Sequence, residues 1–186
     1  RARDMTRGNA RMNKVFSRRN ILFGFLLVAF IIVFEVAMLL LDLPAWPAFL
    51  VMIQFFVVHE DATKAPQIVI GGLFGIVCAI LMGPFAHVVS PYTGMDAARL
   101  TFIGLFVYAI VLFKDALPEV FNSHAFLFFL VSSIAMKAHA PRPYVWMAVE
   151  LVLGVVFVAG VLAIGRIVTA VLGGEPGARG SAEGMP

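Results

Sequence analysis

The chain has 186 residues, 61% of them hydrophobic and only 13% charged, with a mean hydropathy of +0.96 and a formal net charge of +3. A water-soluble domain of this size must cover its surface with polar side chains, so the composition excludes one and leaves lipid as the solvent for 18 Phe and long Ile/Leu/Val runs. The single cysteine, Cys78, excludes an intrachain disulfide and a multi-cysteine metal site.

Residues 1–19 form a basic tail with seven of the fourteen Lys and Arg: Arg1, Arg3, Arg7, Arg11, Lys14, Arg18 and Arg19. Such a crowd of cations beside a first apolar span marks a cytoplasmic end rather than a nucleic-acid surface, and no nucleic-acid partner is expected. Apolar segments follow at 20–42, 46–59, 67–89, 99–117, 124–137 and 143–172. Read as six crossings of a bacterial-type cytoplasmic (inner) membrane, they place both termini and eleven basic residues inside. Only Arg99, Lys137 and Arg142 then fall outside. The second and fifth segments have about fourteen residues, short of the ~20 that a perpendicular helix needs to cross ~30 Å of hydrocarbon. Either they are broken, tilted or re-entrant, or they run on into their loops with Trp46, His59, His124 and Lys137 as snorkelling ends. Residues 173–186 are Gly-rich without apolar periodicity and read as a disordered cytoplasmic tail.

Laying the second half on the first at an offset of 77 residues matches Ala48, Phe49 and Leu50 to Ala125, Phe126 and Leu127, Pro66 to Pro143, and Phe25 to Phe102. Each half, about 20–90 and 98–172, reads as a long span, a short span, a polar turn ending in Pro and a long span rich in small residues. Three crossings is an odd number, so the second copy lies upside down relative to the first. The expected fold is an all-α integral membrane protein with about six transmembrane helices in an inverted 3+3 repeat over 20–172. Gly71, Gly75 and Ala79 share one helix face, as do Ala159 and Ala163, and such faces are expected to serve packing between helices of the chain.

Ionisable groups at membrane depth are the first functional candidates. Glu35, Gln54 and Glu150 each lie about seven residues from the outer end of a span, ~10 Å deep at 1.5 Å per residue. With no Lys or Arg at that depth, they are candidates for a substrate or proton pathway, or else the acids are neutral groups bonded to neighbouring helices or reach a watery cavity. His59, Glu60, Asp61, Lys64, Lys114 and Asp115 cluster in cytoplasmic turns, as a gate or simply as solvated helix ends. Adjacent residues on a helix point different ways, so His59, Glu60 and Asp61 are not expected to bind metal, and no cofactor is expected. His87, His124 and His139 fall singly in or beside loops. Pro84, Pro91, Pro118, Pro141 and Pro143 fall at span ends as turn markers. Ser132 and Ser133 either line a path or bond back to their own helix. No hydrolase elbow, phosphate loop, zinc signature or haem-attachment motif is present, so no enzyme is expected.

One stretch, 43–83, contains Ala45, Trp46, Pro47, Ala48, Phe49 and Leu50, then a polar turn with Lys64, then Gly71, Gly72, Leu73, Phe74 and Gly75. It resembles the core of fusaric-acid-resistance-type (FUSC-like) and aromatic-acid-exporter membrane modules, with Gln67 near the place where an Arg often precedes the Gly-rich helix. The resemblance implies a membrane module that forms homo-oligomers or recruits partners to move organic acids or other amphipathic compounds outward. The functional expectation is transport or efflux of a small compound, with proton coupling. The alternative is a non-transporting accessory subunit that binds lipid or a larger membrane complex.

Overall fold

The computed structural model describes residues 18–138 and 141–172. The basic tail up to residue 17, the tail 173–186 and His139 lie outside the described residues. Among those described, the chain is helical throughout, without strands. The elements are α1 (Arg18–Leu40), α2 (Trp46–Val57), a 3₁₀ turn (Ala62–Lys64), α3 (Ala65–Thr93), α4 (Met95–Phe113), α5 (Ser123–Ala135), α6 (Pro143–Ala148), a π-helical turn (Val149–Gly154) and α7 (Val155–Leu172).

Among the described residues, four stretches are long and apolar enough to cross a membrane: Arg18–Leu40, Ala62–Thr93, Met95–Phe113 and Pro143–Leu172. Helices α2 and α5 have 12 and 13 residues. At 1.5 Å per residue they span ~18 and ~20 Å, well short of ~30 Å of hydrocarbon. The first does not run on into its loop as a snorkelling end would require. His59 and Glu60 take left-handed φ angles of 58° and 60°, which stops the helix at Val57.

Asp61 then caps the 3₁₀ turn, accepting from the Thr63 hydroxyl at 2.7 Å and its backbone N–H at 2.9 Å. These two bonds, the hydroxyl first, hold its carboxyl below the ordinary carboxylate range. Pro66 and Pro143 sit in the first turns of α3 and α6, where a missing N–H costs nothing. Pro84 and Pro91 depart from expectation. Both lie inside α3, which continues through them to Thr93, and exposed His87 lies on that same helix rather than beside a loop. The turn into α4 is a single residue, Gly94, at φ 85° and ψ 155°, a region open essentially to glycine alone.

The chain divides into two compact units, 36–159 and the two terminal portions 1–35 with 160–186. Within 36–159, α3 is the central helix. Helix α5 runs beside it in the same direction, with Asn122 at its start against Gln67 and Gly71, and Ala125 and Phe129 against Gly75. The third partner, α4, offers one face, with Ala98 and Phe106 buried and Phe102 packed on the same core as Cys78, Ala79 and Phe129. The Phe106 and Phe129 rings lie 4.4 Å apart. Helix α2 packs on the π turn, with Val51 filling the space over Gly154 and the Trp46 and Trp146 rings edge to face at 5.4 Å. Arg142 donates to the Asp42 carbonyl at 3.0 Å and to its carboxylate at 3.3 Å, tying the start of α6 to the loop before α2.

In the terminal unit, Gly160 stands against the Phe30 ring, and Phe30 and Phe34 are in ring contact at 6.4 Å. Helix α7 buries Phe157, Val161, Ile164 and Val168, a stripe at helical spacing. This stripe corrects the expected packing role of Ala159 and Ala163, which fall on the other side of α7 and are exposed. The small residue that α7 uses for close approach is Gly160.

Candidate functional site

The site is built on the π turn. Six residues, Val149–Gly154, take the wider i→i+5 winding inside an otherwise α-helical run, an irregularity that often marks a functional position. It carries Glu150, which is 0% exposed. Neither of its carboxyl oxygens has a hydrogen-bond partner in the protein, and no cation pairs with it among the described residues. Its carboxyl group occupies the space over Gly72 that a side chain there would take. A methyl group at Gly72 would meet Glu150 Oε1 and stand 2.9 Å from Phe128 Cδ2. The buried face of α3, with Gly71, Gly72 and Gly75, is therefore flat for two reasons. Gly71 and Gly75 admit α5, and Gly72 admits the acid.

Other polar groups lie in the same unit. Ser132, four residues after Phe128 and so on the same face of α5, has a buried hydroxyl without a partner, and so does Nδ1 of His124 in the first turn of that helix. Ser133 instead donates back to the Phe129 carbonyl at 2.7 Å. Gln54 is 7% exposed on α2. Glu35, grouped with Gln54 and Glu150 by its depth in the sequence, is exposed on α1. The turn residues His59, Asp61, Lys64, Lys114 and Asp115 are exposed, and Glu60 is half-buried. No three His, Cys, Asp or Glu side chains are grouped to hold a metal ion among the described residues.

Asn122 and Gly72 carry more of the architecture than sequence reading assigned them. The Asn122 side chain accepts from the Ala125 N–H at 2.9 Å and donates to the Gln67 carbonyl at 3.1 Å and the Pro118 carbonyl at 2.9 Å. It thus caps α5 and fastens it to α3 at once. An Asn directly before an apolar helical run is a recognisable cap signal. Asn122→Ala should cost about 1–2 kcal/mol, read as a lower thermal unfolding temperature of the purified protein in detergent.

Chemically, the arrangement isolates one carboxyl group. Burying an ionised carboxylate alone costs far more than burying a neutral polar group, which makes this carboxyl a candidate for proton exchange or for a hydrogen-bonding ligand. Together, the fold and the site define, among the described residues, an all-helical protein with four stretches of membrane-spanning length and an enclosed acid where two of those stretches meet. Compared with protein-family models, with curated proteins and with solved structures, the chain matches none.

Proposed function

We propose that the chain is a small transporter of the cytoplasmic membrane that moves an organic or amphipathic compound, with Glu150 as its proton-exchanging group. The observation that carries this reading is the buried, partnerless carboxyl on a π turn against Gly72. In this reading α2 and α5 are the half-helices of an inverted 3+3 repeat, six membrane segments in all. Both termini are cytoplasmic, homo-oligomers form around the site, and the FUSC-like resemblance reflects a shared membrane module.

The internal contacts support the repeat. Asp42 and Arg142 join the loop before α2 to the start of α6, and Asn122 and Gln67 join the loop before α5 to the start of α3. Shifting the first pair by 77 residues in opposite directions gives Glu119 and Ala65, neighbours of the second pair. The same shift carries Gly72 and Glu150 to Val149 and Leu73, so this contact lies beside the axis that would relate the halves. Sites near such an axis are where inverted-repeat carriers bind.

A second reading, a non-transporting subunit of a larger membrane complex, is favoured by the complete closure of Glu150. Liposomes containing the purified chain and a pH-sensitive dye separate the two. Gradients of membrane-impermeant organic ions, benzenesulfonate and tetraethylammonium among them, are applied. The transport reading expects at least one gradient to move protons, and Glu150→Gln to abolish that movement while the unfolding temperature holds. Coupled flux that survives Glu150→Gln removes this acid from the path. No flux with any ion, from protein that is folded, supports the subunit reading.

A further inference from the structure

A second feature lies away from Glu150, between α3, α4 and α5. A cavity of about 380 Å³ is walled by Ile80, Met82, Ile103, Phe129, Leu130 and Ile134. That volume falls within the roughly 300–1,000 Å³ of sites that take small molecules. Two cations, Arg99 and Lys137, also line it. Arg99 opens the first turns of α4, and Lys137 follows the end of α5. The polar group beside them is Ser133, whose hydroxyl is committed to the Phe129 carbonyl. Arg99 meets Asp96 with N and O 4.0 Å apart and the Asp96 side chain 97% exposed, a pairing too loose and too wet to neutralise the guanidinium.

An apolar pocket with paired cations selects a molecule with an apolar body and an anionic head. The position of the pocket narrows the choice. Two of its walls belong to Ala62–Thr93 and Met95–Phe113, stretches of membrane-spanning length, and Leu130 and Ile134 on the third wall are 37% and 69% exposed. The occupant that reaches such a flank is a bilayer lipid, and a guanidinium and an ammonium beside an apolar groove suit a lipid phosphate. We propose that this cavity holds one acyl chain of an anionic phospholipid, with its phosphate held by Arg99 and Lys137.

The test uses the full chain in detergent, titrated with phosphatidylglycerol or with phosphatidylcholine of the same acyl chains, and counts retained lipids by native mass spectrometry. Wild type should retain one phosphatidylglycerol in preference to phosphatidylcholine. Arg99→Gln with Lys137→Gln should weaken that binding by roughly tenfold or more, the effect of removing two cations near an anionic headgroup. The amino-terminal tail is also basic and attracts anionic lipid, so a second variant separates pocket from surface charge. Leu130→Trp fills the cavity and leaves every charge in place, and it should abolish the tight phosphatidylglycerol while leaving weak, exchangeable lipid unchanged. Tight binding that persists in Leu130→Trp, or that is indifferent to the two cations, overturns the proposal. So does equal retention of phosphatidylcholine.

Discussion

Replacing Gly75 by alanine should destabilise the 36–159 unit by about 3 kcal/mol, the upper part of what overpacking costs. The new methyl group would run into the Ala125 carbonyl oxygen and stand 2.8 Å from the Phe129 nitrogen. Both are backbone atoms of α5, so no side chain can rotate away, and the helices must separate. The Asn122 bond to the Gln67 carbonyl, which fastens the start of α5 to the start of α3, resists that separation. Gly104 is the internal control. It lies in α4, and a methyl group there meets nothing within 4 Å. Alanine at Gly104 should raise stability by about 0.5–1 kcal/mol, because it restricts the unfolded chain and costs no contact. Thermal unfolding in detergent, followed by the fluorescence of the edge-to-face pair Trp46 and Trp146, reads both. A fall of roughly 6–12 °C for Gly75→Ala is expected. A fall of one or two degrees would mean that α3 and α5 do not approach this closely.

The difference between Gly75 and Gly104 also indicates what the sequence carries and what it does not. Hydropathy finds apolar runs because lipid imposes one requirement on every residue of a span, and all four long stretches lie where those runs lie. The face of Gly71, Gly75 and Ala79 is legible because spacing at four residues is a local property of a helix. Ala159 and Ala163 have the same spacing and are exposed, because which face of α7 turns inward depends on its bulkier residues at 157, 161, 164 and 168.

Depth and direction separate in the same way for the acids. Position along a span places Glu35 and Glu150 at similar depth, yet one is exposed and the other is 0% exposed, since depth says nothing of which side of a helix a residue occupies. The π turn is the least legible feature. Glu150 marks the stretch in the sequence, but nothing in Val149–Gly154 announces a wider winding, and the turn packs on neighbours from other elements, such as Val51 against Gly154. Pro84 and Pro91 mislead for a related reason. A helix surrounded by apolar neighbours has no better partner for its remaining backbone groups than itself, so it continues through the proline.

Glu150→Met should make the protein more stable and, on the proposed transport reading, abolish proton-linked flux. The carboxyl group is enclosed and neither oxygen is partnered within the protein, an arrangement that costs about 1–3 kcal/mol. Methionine fills nearly the same length with apolar atoms and can bend to suit the flat surface at Gly72 and the Phe128 ring. The expected gain is therefore about 1–3 kcal/mol, or roughly 2–12 °C in unfolding temperature. Replacing buried ionisable groups by apolar ones of similar volume often has this sign. A lower unfolding temperature for Glu150→Met would mean that the acid makes favourable bonds in the membrane and serves the fold. A higher one together with lost flux would identify Glu150 as a group kept against the interest of stability, since packing alone gives no reason for a carboxyl group where methionine fits better.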